Sequence, residues 1–148
     1  MPHYDIKFSK IITRELVKKN PNSLFIFGDN CRRKGTGGQA VIRGMQNVAG
    51  IATKIEPNMN DNAFFSDSNY QFATNVIFTD IENIKIRLSS GEYTTVVFPL
   101  DGLGTGLAKL KDKAPKVNQY LHQKLYDDFK IVSLKNLAGH TYLDLIKY

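Results

Sequence analysis

The longest periodic pattern in the chain follows Ser68. Ala73, Ile77, Ile81, Ile84 and Leu88 recur at steps of four, four, three and four, which predicts a helix of about five turns with one face toward a core. Ser89-Ser90-Gly91 closes it. Two uninterrupted apolar runs of strand length, LFIF at 24–27 and TVVF at 95–98, predict strands buried on both faces. YDIKF alternates like a short strand, and Ser9 can cap a helix through Lys19 that carries Ile12, Leu16 and Lys19 on one side and stops at Asn20-Pro21. QAVIRGMQNV places Val41, Met45 and Val48 at helical spacing; Gly44 weakens that helix and residues 47–50 can end it. A further helix opens near Pro115 with Val117, Leu121 and Leu125 inward, and IVSL at 131–134 reads as another strand. Alternating strands and helices predict a three-layer α/β fold, a mostly parallel or mixed central sheet flanked by helices.

Length allows one such domain. The 148 residues, 42% of them hydrophobic, are enough for one core and too few for two ordinary domains, so residues 1–148 read as a single unit. No apolar run approaches the ~20 residues that span a bilayer, and MPHYDIKFSK lacks the apolar segment of a secretory signal. The expectation is a cytoplasmic protein with no membrane partner. One cysteine, Cys31, and three scattered histidines, His3, His122 and His140, argue against a disulfide framework and against metal. His122 falls within the last helix, where a solvated side chain is expected. No cofactor is called for. Twenty Lys/Arg against fourteen Asp/Glu give a formal charge of +6, which favours an anionic partner without choosing among phosphorylated small molecules, nucleic acid and acidic protein.

Candidate chemistry concentrates in two glycine-rich loops, FIFGDNCRRKGTGGQA and VVFPLDGLGTGLAKL, each behind a predicted buried strand and ahead of a predicted helix. Glycine admits positive φ and lets successive N–H groups converge on phosphate oxygens. In open α/β sheets, ligands sit at the carboxyl ends of strands, so two such loops can wall one crevice if their strands are neighbours. The named glycine motifs do not apply: no Walker A lysine is present, and the first glycine of GTGGQA lies eight residues beyond Phe27, too far for a Rossmann turn.

PLDGLGTGLAKL, with the following APKVNQYLHQKL, resembles the second phosphate-binding loop and helix of macrodomains, above all the terminal ADP-ribose glycohydrolase branch, whose loop reads P-x-I-G-C-G-L-D-R-L. NCRRKGTGGQAVIRG is similar to the macrodomain segment in which an Asn or acidic residue precedes a glycine turn. The longer pattern FIFGDN…GxGGQA-x-R…N-x-x-GI-x-TK resembles small phage and bacterial macro-like proteins. The resemblance covers residues 23–126. It implies an ADP-ribose-type nucleotide with its diphosphate between the loops: Gly35, Gly37, Gly38 and Gln39 on the first, Gly102, Leu103, Gly104, Thr105, Gly106 and Leu107 on the second. Asn30 would face the distal ribose, and Phe64 or Phe65 is a candidate to stack on a base, against a core position for either. Arg43 is the best single candidate to fork onto a diphosphate, with a helix-surface ion pair as the nearly equal alternative.

The hydrolase branch has an acid where this chain has Ala108, so the resemblance carries binding over and leaves catalysis open. Asp29, Asp101 and Lys54 are the substitute catalytic candidates, and for both aspartates a turn or cap role is the alternative. In a phage setting the resemblance implies depletion of NAD-derived signals in the host cytoplasm. The alternatives are removal of ADP-ribose from modified protein or nucleic acid, and a nonenzymatic basic nucleic-acid-binding module, which the scattered lysines favour less. Oligomeric state is not legible.

Overall fold

The computed structural model describes residues 4–130. The elements run β1 (Asp5–Ser9), α1 (Arg14–Lys19), β2 (Ser23–Asn30), a 3₁₀ turn (Gly38–Ile42), β3 (Val48–Lys54), α2 (Tyr70–Ser89), β4 (Thr95–Pro99), α3 (Leu110–Lys113) and α4 (Pro115–Phe129), with short 3₁₀ turns at Asp61–Ala63 and Asp67–Asn69. The four strands form one parallel sheet in the order β1-β4-β2-β3.

Successive strand residues point to opposite faces, and the two central strands divide their side chains accordingly. Leu24 and Ile26 of β2 and Val96 and Phe98 of β4 join a core with Ile77, Ile81, Ile84 and Leu88 of α2 and Val117, Leu121 and Leu125 of α4. Phe25, Phe27 and Val97 face the other way, against Val17 of α1 and Ala40 and Ile42 of the Gly38–Ile42 turn. Both faces of the sheet are therefore covered, as parallel sheets require. The predicted α2 stripe is the centre of the larger core; every one of its five residues is at most 1% exposed.

Three expectations are corrected. Ser9 does not cap a helix. It pairs with Pro99 at the end of β1, its carbonyl accepts from Leu100 N–H and its hydroxyl donates to Ile11 O, so α1 starts later, at a cap made by Thr13 Oγ1 accepting from Leu16 N–H at 3.1 Å. The QAVIRGMQNV helix is a 3₁₀ turn that ends at Ile42, with Arg43 extended and Gly44 at φ 88°. Ala40, Ile42 and Val48 point inward there, while Val41 is exposed and Met45 half-buried. Residues 48–50, read as a helix end, open β3. The IVSL strand lies outside the described residues.

Among the described residues strand β3 is a sheet edge, and side chains of α2 reach its backbone. Arg87 donates to Val48 O at 2.6 Å and to Gln46 O at 2.8 Å, and Asp80 accepts from Ala52 N–H at 2.8 Å. Side-chain bonds of this kind satisfy edge-strand backbone groups that would otherwise be open to another strand.

His122 on α4 is half-buried rather than solvated, and burial lowers its pKa from 6.5. The unfolded chain therefore takes up the proton more readily than the folded one. Stability is expected to fall as pH drops below about 6.5, and His122→Gln should flatten that part of a urea-midpoint profile; an unchanged profile in the variant would assign the loss to other groups. Among the described residues no helix is long and apolar enough to cross a membrane.

Candidate functional site

Strands β2 and β4 are neighbours whose chains leave the sheet toward opposite faces. The turn after β2 packs Ala40 and Ile42 into one core, whereas the segment after β4 packs Leu103, Leu110 and Ala114 into the other. Such divergence opens a crevice at the carboxyl ends of the strands. A cavity of about 300 Å³ lies there, walled by Gly28, Asp29 and Asn30 of β2, Lys34, Gly35, Gly37, Gly38 and Gln39 of the first glycine loop, Thr53 and Lys54 of β3, Pro57, and Asp101 and 104–108 of the second loop. Its size is at the lower end for small-molecule sites, about 300–1,000 Å³.

Side-chain hydrogen bonds fix the two loops relative to each other. Gln39 Oε1 accepts from Gly28 N–H at 2.8 Å while its Nε2 donates to Gly102 O at 2.9 Å, so one amide joins the end of β2 to the second loop. Asn30 closes the 30–34 turn: Oδ1 accepts from Arg32 N–H and Nδ2 donates to Lys34 O. In the second loop, Leu110 N–H donates to Gly104 O, and Gly104 sits at φ 76° with Leu110 behind it. Leu107, 57% exposed, reaches across to the first loop, where its Cδ1 lies 3.8 Å from where a Cβ on Gly37 or Gly38 would stand. Among the described residues, no protein acceptor takes the N–H groups of Gly37, Gly38, Thr105, Gly106 or Leu107. Glycine-rich loops with unclaimed backbone amides are a common setting for anion binding.

Asp29 is 6% exposed and fully engaged. Its Oδ1 accepts from Asn30 N–H at 2.8 Å and from Arg43 Nη2 at 2.6 Å, and Oδ2 is 3.2 Å from Arg33 Nη1. Arg33, at φ 57°, also grips Asp80 of α2 through both terminal nitrogens at 2.9 and 2.7 Å. The approach of Asp29 to β3 explains Gly50: a Cβ there would lie 2.6 Å from Asp29 Oδ2. This network sets the loop's position, and it leaves Asp29 little capacity to accept a further proton donor. Asp101 differs: it is exposed on the cavity wall, with no hydrogen bond to another described residue.

The structure gathers twelve of the seventeen sequence-derived candidates on this cavity: Asp29, Asn30, Gly35, Gly37, Gly38, Gln39, Lys54, Asp101, Gly104, Thr105, Gly106 and Leu107. Gly102, Leu103 and Arg43 are not on its wall. Leu103 is 2% exposed within the core, Gly102 presents its carbonyl to Gln39, and Arg43 turns away to hold Gly35 O, Lys34 O and Asp29 with its guanidinium 5.3 Å from the Phe27 ring centroid. Phe64 and Phe65 are core residues at 6% and 1% exposure, so neither offers a stacking face. The Cys31 thiol is half-buried and its pKa is pushed up by burial, which keeps it protonated and non-nucleophilic near neutrality. Among the described residues no group of His, Cys, Asp and Glu could hold a metal. Asp80 escaped the sequence reading, yet it falls between Ile77 and Ile84 on the buried face of α2, where a carboxylate needs a partner.

The family described as "Family of unknown function (DUF7831)" matches residues 7–124. No curated protein and no solved structure matches the chain.

Proposed function

The chain belongs to the DUF7831 family, and from the geometry of its cavity we propose that it is a macrodomain-like protein that binds an ADP-ribose-derived nucleotide, with the diphosphate between the two glycine loops. One observation carries this reading: two loops from adjacent parallel strands, tied together by Gln39, line one cavity at the divergence point of the sheet with residues whose backbone amides have no protein acceptor among the described residues. Backbone N–H donors in a concave site suit phosphate oxygens, and Lys34 adds positive charge at the wall. The volume fits the diphosphate and one adjoining sugar, leaving the base to lie across Leu107 and Pro57 at the mouth. Asp101 is the acid through which hydrolysis of the bound nucleotide would proceed, since it alone of the two aspartates lacks a protein partner among the described residues. An intact nucleotide recovered after incubation would make the protein a sequestering one.

Thermal unfolding with ADP-ribose, ADP and AMP tests the reading. A ligand at one hundred times its Kd stabilises by about 2.7 kcal/mol, so ADP-ribose and ADP are expected to raise the Tm clearly and AMP less. No shift with any of the three would refute nucleotide binding.

A further inference from the structure

Lys54, the last residue of β3, is 7% exposed and forms part of the cavity wall. Its ammonium has no carboxylate partner among the described residues: Nζ donates to Asn58 O at 2.7 Å, lies 3.6 Å from Met59 Sδ and stands 4.7 Å from the centroid of the Phe64 ring. An ammonium has three donors, so one carbonyl and one weakly accepting sulfur leave it with capacity to spare. The loop that Lys54 holds is otherwise loosely attached. Its neck is closed where Ala63 O accepts from Ile55 N–H at 2.7 Å and from Glu56 N–H at 3.1 Å, beside the Lys54–Phe64 bridge, and Arg32 pairs with Glu56 at 2.7 Å. Past the neck, residues 57–60 are exposed. Among the described residues they hydrogen-bond outside the 55–63 loop through the Lys54 ammonium alone. Pro57 nonetheless lines the cavity and reaches the first glycine loop, where its Cβ lies 3.4 Å from where a Cβ on Gly35 would stand.

One buried ammonium therefore belongs to the cavity wall and is also the tie on the loop that forms its Pro57 side. A segment with exposed backbone and a single tie opens locally at little cost. An anionic oxygen in the cavity would take a donor that Asn58 O leaves free and would supply the countercharge that a buried cation needs. We infer that residues 56–60 are a strap that closes on the ligand, and that Lys54 couples the two by holding Asn58 O and a phosphate oxygen of the ligand at once. This rests on the nucleotide reading and adds the control of access to the same site: filling the cavity tightens the strap, and by linkage a loosened strap weakens binding.

Thermolysin cuts ahead of apolar residues, so cleavage between Asn58 and Met59, followed by intact mass, reads opening of the strap. Without ligand, Lys54→Met should be cut about ten-fold faster than the wild type, the equivalent of one charge-assisted hydrogen bond, with an unfolding curve on the same sample to show that the variant is folded. At concentrations that saturate each protein, ADP-ribose should slow wild-type cleavage at least about five-fold and change that of Lys54→Met by less than about two-fold. A lysine that merely supports the loop would speed ligand-free cleavage and leave the ligand's effect intact, so equal slowing in the two proteins would overturn the coupling, as would equal ligand-free rates. Inorganic pyrophosphate is run in parallel. ADP-ribose that binds without protecting the strap removes this inference and leaves the nucleotide reading standing; pyrophosphate that protects the wild type and not Lys54→Met, with no Tm shift from ADP-ribose, does the reverse. The wild-type arm stands by itself: protection by neither ligand would overturn the strap whatever the stability of the variant.

Discussion

Gly106→Asp is expected to weaken nucleotide binding by at least about 100-fold while leaving the Tm nearly unchanged. Gly106 is not among the positive-φ glycines, and nothing lies within 4 Å of a Cβ built on it, so a Cβ there meets no steric obstacle. The new carboxylate would stand on the cavity wall beside the amides assigned to the diphosphate. Two unit charges at 4 Å repel by about 4 kcal/mol at an effective dielectric of 20, and every 1.4 kcal/mol is about ten-fold in affinity, so a 100-fold loss is a conservative expectation. The neighbouring Gly104 gives no such clean test. It sits at φ 76°, and a Cβ would come within 2.8 Å of Leu110 Cβ, so Gly104→Val would deform the loop and its core contact together. Calorimetric titration of ADP-ribose into Gly106→Asp, with an unfolding curve on the same sample, separates loss of binding from loss of fold. Retained affinity would remove the second loop from the site.

The loop that this variant probes was readable because glycine spacing behind a buried strand is a local signal. So were β2, β4, α2 and α4: each has an apolar period that its own residues set, and the structure buries the very positions that carry it. What escaped depends on contacts between distant segments. In β3, VAGIATK lacks clear alternation, and its glycine is dictated by the Asp29 side chain packing over it from β2. Arg43 looked free to reach a phosphate because a helix was expected around it. With Gly44 at φ 88° the chain turns instead, and the guanidinium reaches back to Asp29 and the 34–35 carbonyls. Ser9 carried a capping signature, but pairing of β1 with β4 engages its backbone first. The candidate site was thus legible as a set of loop residues, while the distinction between wall and support required the fold.

That distinction makes Asp80 the residue whose loss should cost the fold most among the site's polar supports. Asp80→Ala is expected to destabilise the protein by about 2–3 kcal/mol, from two sources. Ala52 N–H, on the edge strand, loses its acceptor, and a buried unsatisfied amide costs about 1–3 kcal/mol. Arg33 loses both of its short bonds to Asp80; breaking a fully buried pair costs about 3–5 kcal/mol, but the Arg33 side chain is 42% exposed, so solvent screening reduces that contribution to a fraction of the range. Asp80→Asn can keep its oxygen as acceptor for Ala52 N–H and Arg33 Nη1 while it loses the charge and the second acceptor for Arg33 Nη2, so it should recover roughly half the lost stability. Urea unfolding with an unchanged m-value would show the difference as a shift in midpoint. Arg33 would also be left with Asp29 as its sole carboxylate among the described residues, and the 30–35 segment would lose its tie to α2. Nucleotide affinity should therefore fall in Asp80→Ala even at temperatures where the variant is fully folded. A loss below about 0.5 kcal/mol, within the range of an ordinary surface substitution, would mean that the Arg33–Asp29–Asp80 network is incidental to both the fold and the cavity.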